Sequence, residues 1–139
     1  MIILFNSRTP EFAWLSNFYM CPFKFNGGTW PSAEHAYQAM KFEGSFSHYH
    51  RIHRAKTTYE AKQLGKFPEM VSNWDSRKLD VMAQIIHAKF QAPHLRTWLQ
   101  DTAPHELVHL AGWDNYWGNG PYGKGLNHLG KILMEERNT

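Results

Sequence analysis

At 139 residues the chain has room for one domain with a sizeable core and too little for two ordinary ones. Fifteen basic against twelve acidic residues leave a formal charge of +3, which suits an anionic small molecule or a transient nucleic-acid contact and excludes the dense basic footprint of a dedicated DNA-binding module. One cysteine, Cys21, excludes an internal disulfide and a thiolate metal site.

No apolar run approaches the roughly 20 residues that span a bilayer, and residues 1–10 lack the apolar segment of a signal peptide. The expectation is a soluble, cytoplasmic protein with no membrane partner. Six Trp, six Tyr and nine Phe exceed what so small a core can bury, so some are expected to line a pocket for a planar ligand.

Residues 2–5 (IILF) read as a short buried strand, followed by a turn at Arg8-Thr9-Pro10. Residues 22–26 alternate and end at Gly27-Gly28, which predicts a strand and a hairpin turn. Trp30-Pro31 then halts the chain, and Ser32 is placed to cap a helix running to about Glu43. Along that helix Glu34, Gln38 and Lys41 fall at i, i+4 and i+7 and share one face. An acid, an amide and an amine lined up among Trp30, His35, Tyr37, Met40 and Phe42 suit a catalytic or ligand-binding face; a core helix with a peripheral ion pair is the alternative.

Residues 47–55 and 57–66 read as two shorter helices. Asp75 is a candidate cap for a longer helix to Phe90, with Leu79, Met82, Ile86 and Phe90 on its apolar face. Pro93 starts another helix carrying Leu95, Trp98 and Leu99, and Leu107 to Ala111 reads as a strand. A glycine-rich loop from Trp117 to Gly125 leads into a final amphipathic helix with Leu126, Leu129, Ile132 and Leu133. The fold class expected is α+β: one compact, helix-dominated domain over residues 1–139 with a few short β-strands.

Two motif look-alikes carry less than their letters suggest. His105 to His109 spells HELVH, but that zinc signature needs a helix, and Pro104, the β-favouring Leu107 and Val108, and Gly112 argue for a strand. No metal is therefore expected. Gly118 to Lys124 fits GxxxxGK, yet Gly125 stands where a magnesium-binding Ser or Thr should be. A looser expectation remains, in which Gly118 and its neighbours expose backbone amides to a phosphate or ribose; a plain flexible loop is the alternative. His48, His50 and His53 with Arg51, Arg54 and Lys56 form a basic stripe, either a solvated helix face or a weak phosphate contact.

The segments SNF (Ser16 to Phe18), WPSAEHAYQAMKF (Trp30 to Phe42), Asn73-Trp74, Lys89-Phe90 and DNYWGNG…GKGLNHLGKILMEER together resemble the NADAR family, which includes the YbiA-like N-glycosidases. The likeness runs from about Phe5 to Arg137. It implies hydrolysis of a bond between ribose C1′ and a nitrogen, with no cofactor. The substrate it implies is a phosphorylated ribosyl base: ADP-ribose on guanine, free or within DNA or RNA, or a phosphoribosylamino-pyrimidine of riboflavin metabolism. A non-catalytic module for ADP-ribose or NAD is the reading from a different class.

Carried over by position, the family's site residues fall on Glu34, Lys41, Trp74, Asp114, Trp117 and Asn127, with Asn17 and Trp30 nearby in motif. One departure stands out: relatives commonly read LVE where this chain has Leu107-Val108-His109. On this reading Glu34 moves the proton and Lys41 forms an imine with the opened sugar, favoured over direct attack by water. Trp30, Trp74 and Trp117 would stack on the base or ribose, or simply pack. Asp114 and Asn127 would hold ribose hydroxyls, or cap the turn and the last helix. Oligomeric state is not legible in the sequence.

Overall fold

The computed structural model describes residues 1–67 and 70–139. Among them four short strands are β1 (Ile2–Phe5), β2 (Met20–Phe25), β3 (Gly28–Ser32) and β4 (Glu106–His109). Six helices are α1 (Ala33–Met40), α2 (Phe46–His53), α3 (Thr58–Leu64), α4 (Trp74–Lys89), α5 (Pro93–Asp101) and α6 (His128–Arg137). The helix-dominated α+β class is thus the one the sequence implied. No helix of the described residues is long and apolar enough to cross a membrane. The chain folds as two compact units, Met20–Lys89 and the combination of Met1–Tyr19 with Phe90–Thr139.

In the unit built from both ends of the chain, β1 pairs in parallel with β4, from Ile2 opposite Glu106 to Phe5 opposite His109. Parallel neighbours need a long connection, so this pairing waits on the rest of the chain. β1 is less buried than expected: Phe5 is inside, while Ile2 and Leu4 alternate outward. α6 packs on β4 and α5 on α6. Close approach of α6 to the strand requires Gly130, where a Cβ would lie 2.1 Å from the Leu107 carbonyl oxygen. Arg96 of α5 donates to the Glu136 carboxylate and, at 2.8 Å, to the Glu136 carbonyl. Arg137 donates to Thr102 Oγ1 at 3.0 Å and to the His105 carbonyl at 2.8 Å. Leu95 and Leu99 are buried as expected, but Trp98 is largely exposed and Leu126 precedes the helix in an exposed position.

In Met20–Lys89, β2 and β3 form an antiparallel hairpin. Its turn is Asn26-Gly27, one residue earlier than expected, with both residues at positive φ (50° and 78°). That pair suits the tight turn whose twist matches the flanking strands. Ser32 caps α1, its hydroxyl accepting from the His35 amide at 3.2 Å. Every residue of α1 is buried, and β3, α2, α3 and α4 all pack against it. A helix surrounded on all sides carries no solvated face, so its polar residues point into the interior. α4 starts one residue before the expected cap at Asp75. Its buried stripe is Trp74, Val81, Met82, Ile85, Ile86 and Lys89, and Leu79 falls off that stripe into solvent.

Candidate active site

The i, i+4, i+7 row of α1 is a physical row. Glu34 and Gln38 are 7% and 5% exposed, and Gln38 Nε2 donates to Glu34 Oε2 at 2.7 Å. Lys41 stands just past the last helical residue but keeps helical angles (φ −61°, ψ −23°), so the row continues to it. Its ammonium lies 5.4 Å from the centre of the Tyr37 ring. Burial lowers the Lys41 pKa from its usual 10.5; Lys78 and Lys62 push the same way, and Glu34 opposes them. A larger neutral fraction makes this amine a better nucleophile than a surface lysine.

Gly65, at the C-terminal end of α3, closes over the row. A Cβ there would stand 1.8 Å from Gln38 Oε1, so any larger residue must displace the Gln38 side chain for α3 to lie against it. Trp74, also buried, sets its ring 5.3 Å from Tyr37, behind the lysine's aromatic support. Trp30 is 1% exposed, with its indole N–H on the Phe25 carbonyl at 2.7 Å and its ring 4.2 Å from His53. The stacking role expected for Trp30 gives way to packing, because the ring has no area left for a ligand. His35 is also spoken for: its Nε2 meets the Ala55 carbonyl at 2.9 Å and its Nδ1 meets Ser32 Oγ at 2.7 Å. Burial lowers its pKa, which keeps the ring neutral.

The remaining expected residues belong to the other unit. Asp114 Oδ1 accepts from the amides of Tyr116 and Trp117 at 2.9 and 2.8 Å, the turn-capping role weighed from the sequence. Trp117 keeps part of its ring exposed, which leaves it, of Trp30, Trp74 and Trp117, the one with area to stack on a ligand. Asn17 is buried in the loop after a 3₁₀ turn at Ala13–Leu15.

Gly118 is buried, and a Cβ on it would meet Ala111 Cβ at 2.7 Å; its carbonyl accepts from the Asn127 amide at 3.0 Å. Asn127 corrects the helix-capping role weighed for it. It sits in the left-handed region (φ 53°), and its side chain makes no helix-capping bond. Instead Oδ1 accepts from the His109 amide at 2.9 Å and Nδ2 donates to the Leu107 carbonyl at 3.0 Å. Its amide group is a pin that fastens β4, and one oxygen lone pair and one N–H of it lie outside these two bonds.

Part of the glycine-rich loop is committed within the fold. The amides of Asn119, Gly120 and Gly125 donate to the carbonyls of His109, Ala111 and Asn119, and those of His128 and Leu129 to Tyr116 and Trp117. Those amides, turned onto carbonyls, cannot cradle a phosphate. HELVH lies across β4, where the i and i+4 side chains are about 13 Å apart. Among the described residues no group of three His, Cys, Asp or Glu is placed to hold a metal. In the basic stripe, His48 bonds the Leu64 carbonyl at 2.8 Å and His53 the Thr29 carbonyl at 2.7 Å, so two of its three imidazoles are structural ties. Burial raises the Cys21 pKa and keeps it a thiol. A cavity of about 510 Å³ lined by Phe12, Trp14, Tyr19, Trp98, Asp101 and His105 holds none of the expected residues.

One group escaped sequence reasoning. Lys89 is 0% exposed, and burial takes its pKa down to about 8. The signal was present: Lys89 stands in helical register with Ile85 and Ile86 on the apolar stripe of α4.

These features place the chain within a known class: it belongs to the NADAR domain family, matching that domain over residues 4–139. It is 40% identical over 139 residues to the N-glycosidase YbiA of Escherichia coli (strain K12), across 98% of this chain and 86% of that protein. The NMR structure of E. coli YbiA superposes with a TM-score of 0.89 at 40% identity, covering 99% of this chain and 83% of the other. The chloroplastic riboflavin biosynthesis protein PYRR of Zea mays is 43% identical over 121 residues, 78% of this chain but 19% of that larger protein.

Proposed function

We propose that the chain is a hydrolase of N-glycosyl bonds that cleaves ribose C1′–N in ADP-ribosylated guanine, as nucleoside or within nucleic acid. The observation that carries the reading is the buried Glu34–Gln38 pair leading to a half-buried, pKa-depressed Lys41 on one helix. The name of the E. coli relative supports the bond class. The α2–α3 region supports a polyanionic substrate: residues 45–67 hold five Lys or Arg (Arg51, Arg54, Lys56, Lys62, Lys66) and one acid (Glu60), a net +4 in a chain of net +3.

The chemistry follows from the two side chains. Neutral Lys41 Nζ attacks C1′ at the aldehyde oxidation level and forms the C1′–Nζ bond. The bond from C1′ to the base nitrogen breaks, its electron pair stays on that nitrogen, and the Glu34 carboxyl supplies the proton. Loss of a proton from Nζ and opening of the ring give an imine between Lys41 and the sugar. Water, relieved of a proton by the Glu34 carboxylate, then adds to the imine carbon, and the free sugar and the amine leave. The Gln38 amide keeps the carboxyl in one orientation through both transfers.

The name of the maize relative favours a second reading with the same chemistry, in which the substrate is a phosphoribosylamino-pyrimidine of riboflavin metabolism. Chromatography of products from ADP-ribosylated guanosine and from the pyrimidine separates the two. Release of guanosine, cut about 10²–10⁴-fold by Glu34→Gln, is the expected outcome. Borohydride added during turnover should join the sugar to Lys41. Cleavage of the pyrimidine alone would move the assignment to the second reading, and an active Lys41→Arg variant with nothing trapped would remove the imine.

A further inference from the structure

We propose that the outward face of α2 is a docking track for single-stranded nucleic acid, with rings for the bases and arginines for the phosphates. The inference rests on the reading that the target guanine is carried in nucleic acid, and adds the surface that would hold the strand. Helical spacing lines up Phe46, His50 and Arg54 at i, i+4 and i+8, with His53 on one side of the row and Arg51 on the other. At about 1.5 Å per residue the row is about 12 Å long, room for a few nucleotides.

Two features of this face have no use inside the fold. The first is the rings. Phe46 is 80% exposed, and its ring lies 4.3 Å from that of His50. His50 is the one imidazole of the basic stripe not tied to a carbonyl. Its ring leads, at 6.3 Å, to that of His53, which rests at 4.2 Å on buried Trp30. The rings form a ladder footed in the core, ordered before any base stacks on it.

The second feature is charge. Between Glu43 and Glu60 the chain has three Lys or Arg (Arg51, Arg54, Lys56) and no Asp or Glu. All three are exposed, and among the described residues neither arginine has an ion-pair partner. The carboxylates at either end are engaged, Glu43 with Arg77 at 3.0 Å and Glu60 with the Lys56 amide at 3.1 Å. Arg51 in the last turn suits the helix dipole, but Arg54 is a like-charge neighbour that offsets the gain. Exposed rings beside unpaired guanidiniums match an unpaired strand, whose bases stack on the rings while its phosphates neutralise the cations. A duplex keeps its base faces stacked inside, and an acidic peptide matches the charge alone. The place fits as well: α2 packs on α1 and begins five residues after Lys41, so a strand along it runs beside the helix of Glu34 and Lys41.

The test is fluorescence anisotropy with a labelled oligothymidylate, its duplex with oligoadenylate, and oligoglutamate, over a range of salt. The single strand should bind about tenfold tighter than either competitor, and Phe46→Ala or His50→Ala should weaken it by about five- to tenfold. Arg51→Gln/Arg54→Gln should lower the slope of log affinity against log salt by about 1.4, the share of two phosphate contacts to a single strand. Phe46→Trp and Arg51→Lys/Arg54→Lys should restore binding. Equal thermal melting certifies the variants, and the Gln variants are read singly if the double one melts lower. Unchanged affinity in the Ala and Gln variants would overturn the track, as would no binding of oligothymidylate at low salt, or duplex or oligoglutamate bound as tightly. These oligomers are unmodified and need no turnover, so the result is separate from failure of the glycosidase reading, which would appear as wild-type protein releasing no guanosine from ADP-ribosylated guanosine.

Discussion

Replacing Gly65 by alanine adds one methyl group at a defined point. Gly65 has φ −72° and ψ −4°, a conformation alanine adopts freely, so the backbone alone would favour the change by about 0.4–1 kcal/mol through the unfolded chain. The side chain reverses the sign. The new Cβ would stand 1.8 Å from Gln38 Oε1 and 2.6 Å from its Cδ. Gln38 is buried and tied to Glu34, so it yields only by giving up the 2.7 Å bond to that carboxylate. Overpacking costs about 1–3 kcal/mol and a hydrogen bond to a charged group about 1.5–3 kcal/mol. Gly65→Ala is therefore expected to lose about 2–4 kcal/mol of stability on these figures, and to slow turnover by releasing Glu34 from its fixed orientation. Urea unfolding of wild type, Gly65→Ala, Gln38→Ala and the double variant measures it, because Gln38→Ala removes the atom in the way. The double variant should unfold near Gln38→Ala, giving a coupling of about 1 kcal/mol or more. Additive losses, or a neutral Gly65→Ala with full activity, would refute the claim that Gly65 and Gln38 hold the acid in place.

The same reasoning applies elsewhere. Gly130→Ala would set a Cβ 2.1 Å from the Leu107 carbonyl oxygen, a backbone atom that cannot swing aside, so α6 must lift from β4; urea unfolding should show a loss of at least about 2 kcal/mol. Asn127→Ala strands the His109 amide and the Leu107 carbonyl and should cost about 2–4 kcal/mol, with Asn127→Asp rescuing only the bond from His109. Lys89 predicts a pH effect. Its pKa is about 8 folded and 10.5 as the ordinary value, so between those pH values the unfolded chain holds a proton the folded chain has shed. Stability from this group is fully present above pH 10.5 and is lost, by about 3 kcal/mol, as pH falls to 8. The difference in unfolding free energy between wild type and Lys89→Met should follow that curve; parallel curves would count against a buried, shifted lysine.

Short-range features were legible in the residues alone. Ser32 as cap, the hairpin after β2, the helical spacing of Glu34, Gln38 and Lys41, and the strand character of HELVH all depend on neighbours within about two turns, where periodicity and capping act. Even there small shifts arose, such as a turn at Asn26-Gly27 rather than Gly27-Gly28. Roles that depend on a distant partner were not legible. β1 meets β4 more than a hundred residues later. Asn127 reads as a helix cap until β4 arrives to claim its amide, and several amides of the glycine loop are turned onto carbonyls that the sequence does not reveal. Trp30 reads as a stacking platform until the hairpin buries it. Sequence spacing says which side chains share a face of one element. Which element covers that face, and so whether a lysine such as Lys89 is solvated or stripped of water, is decided only when the helices pack.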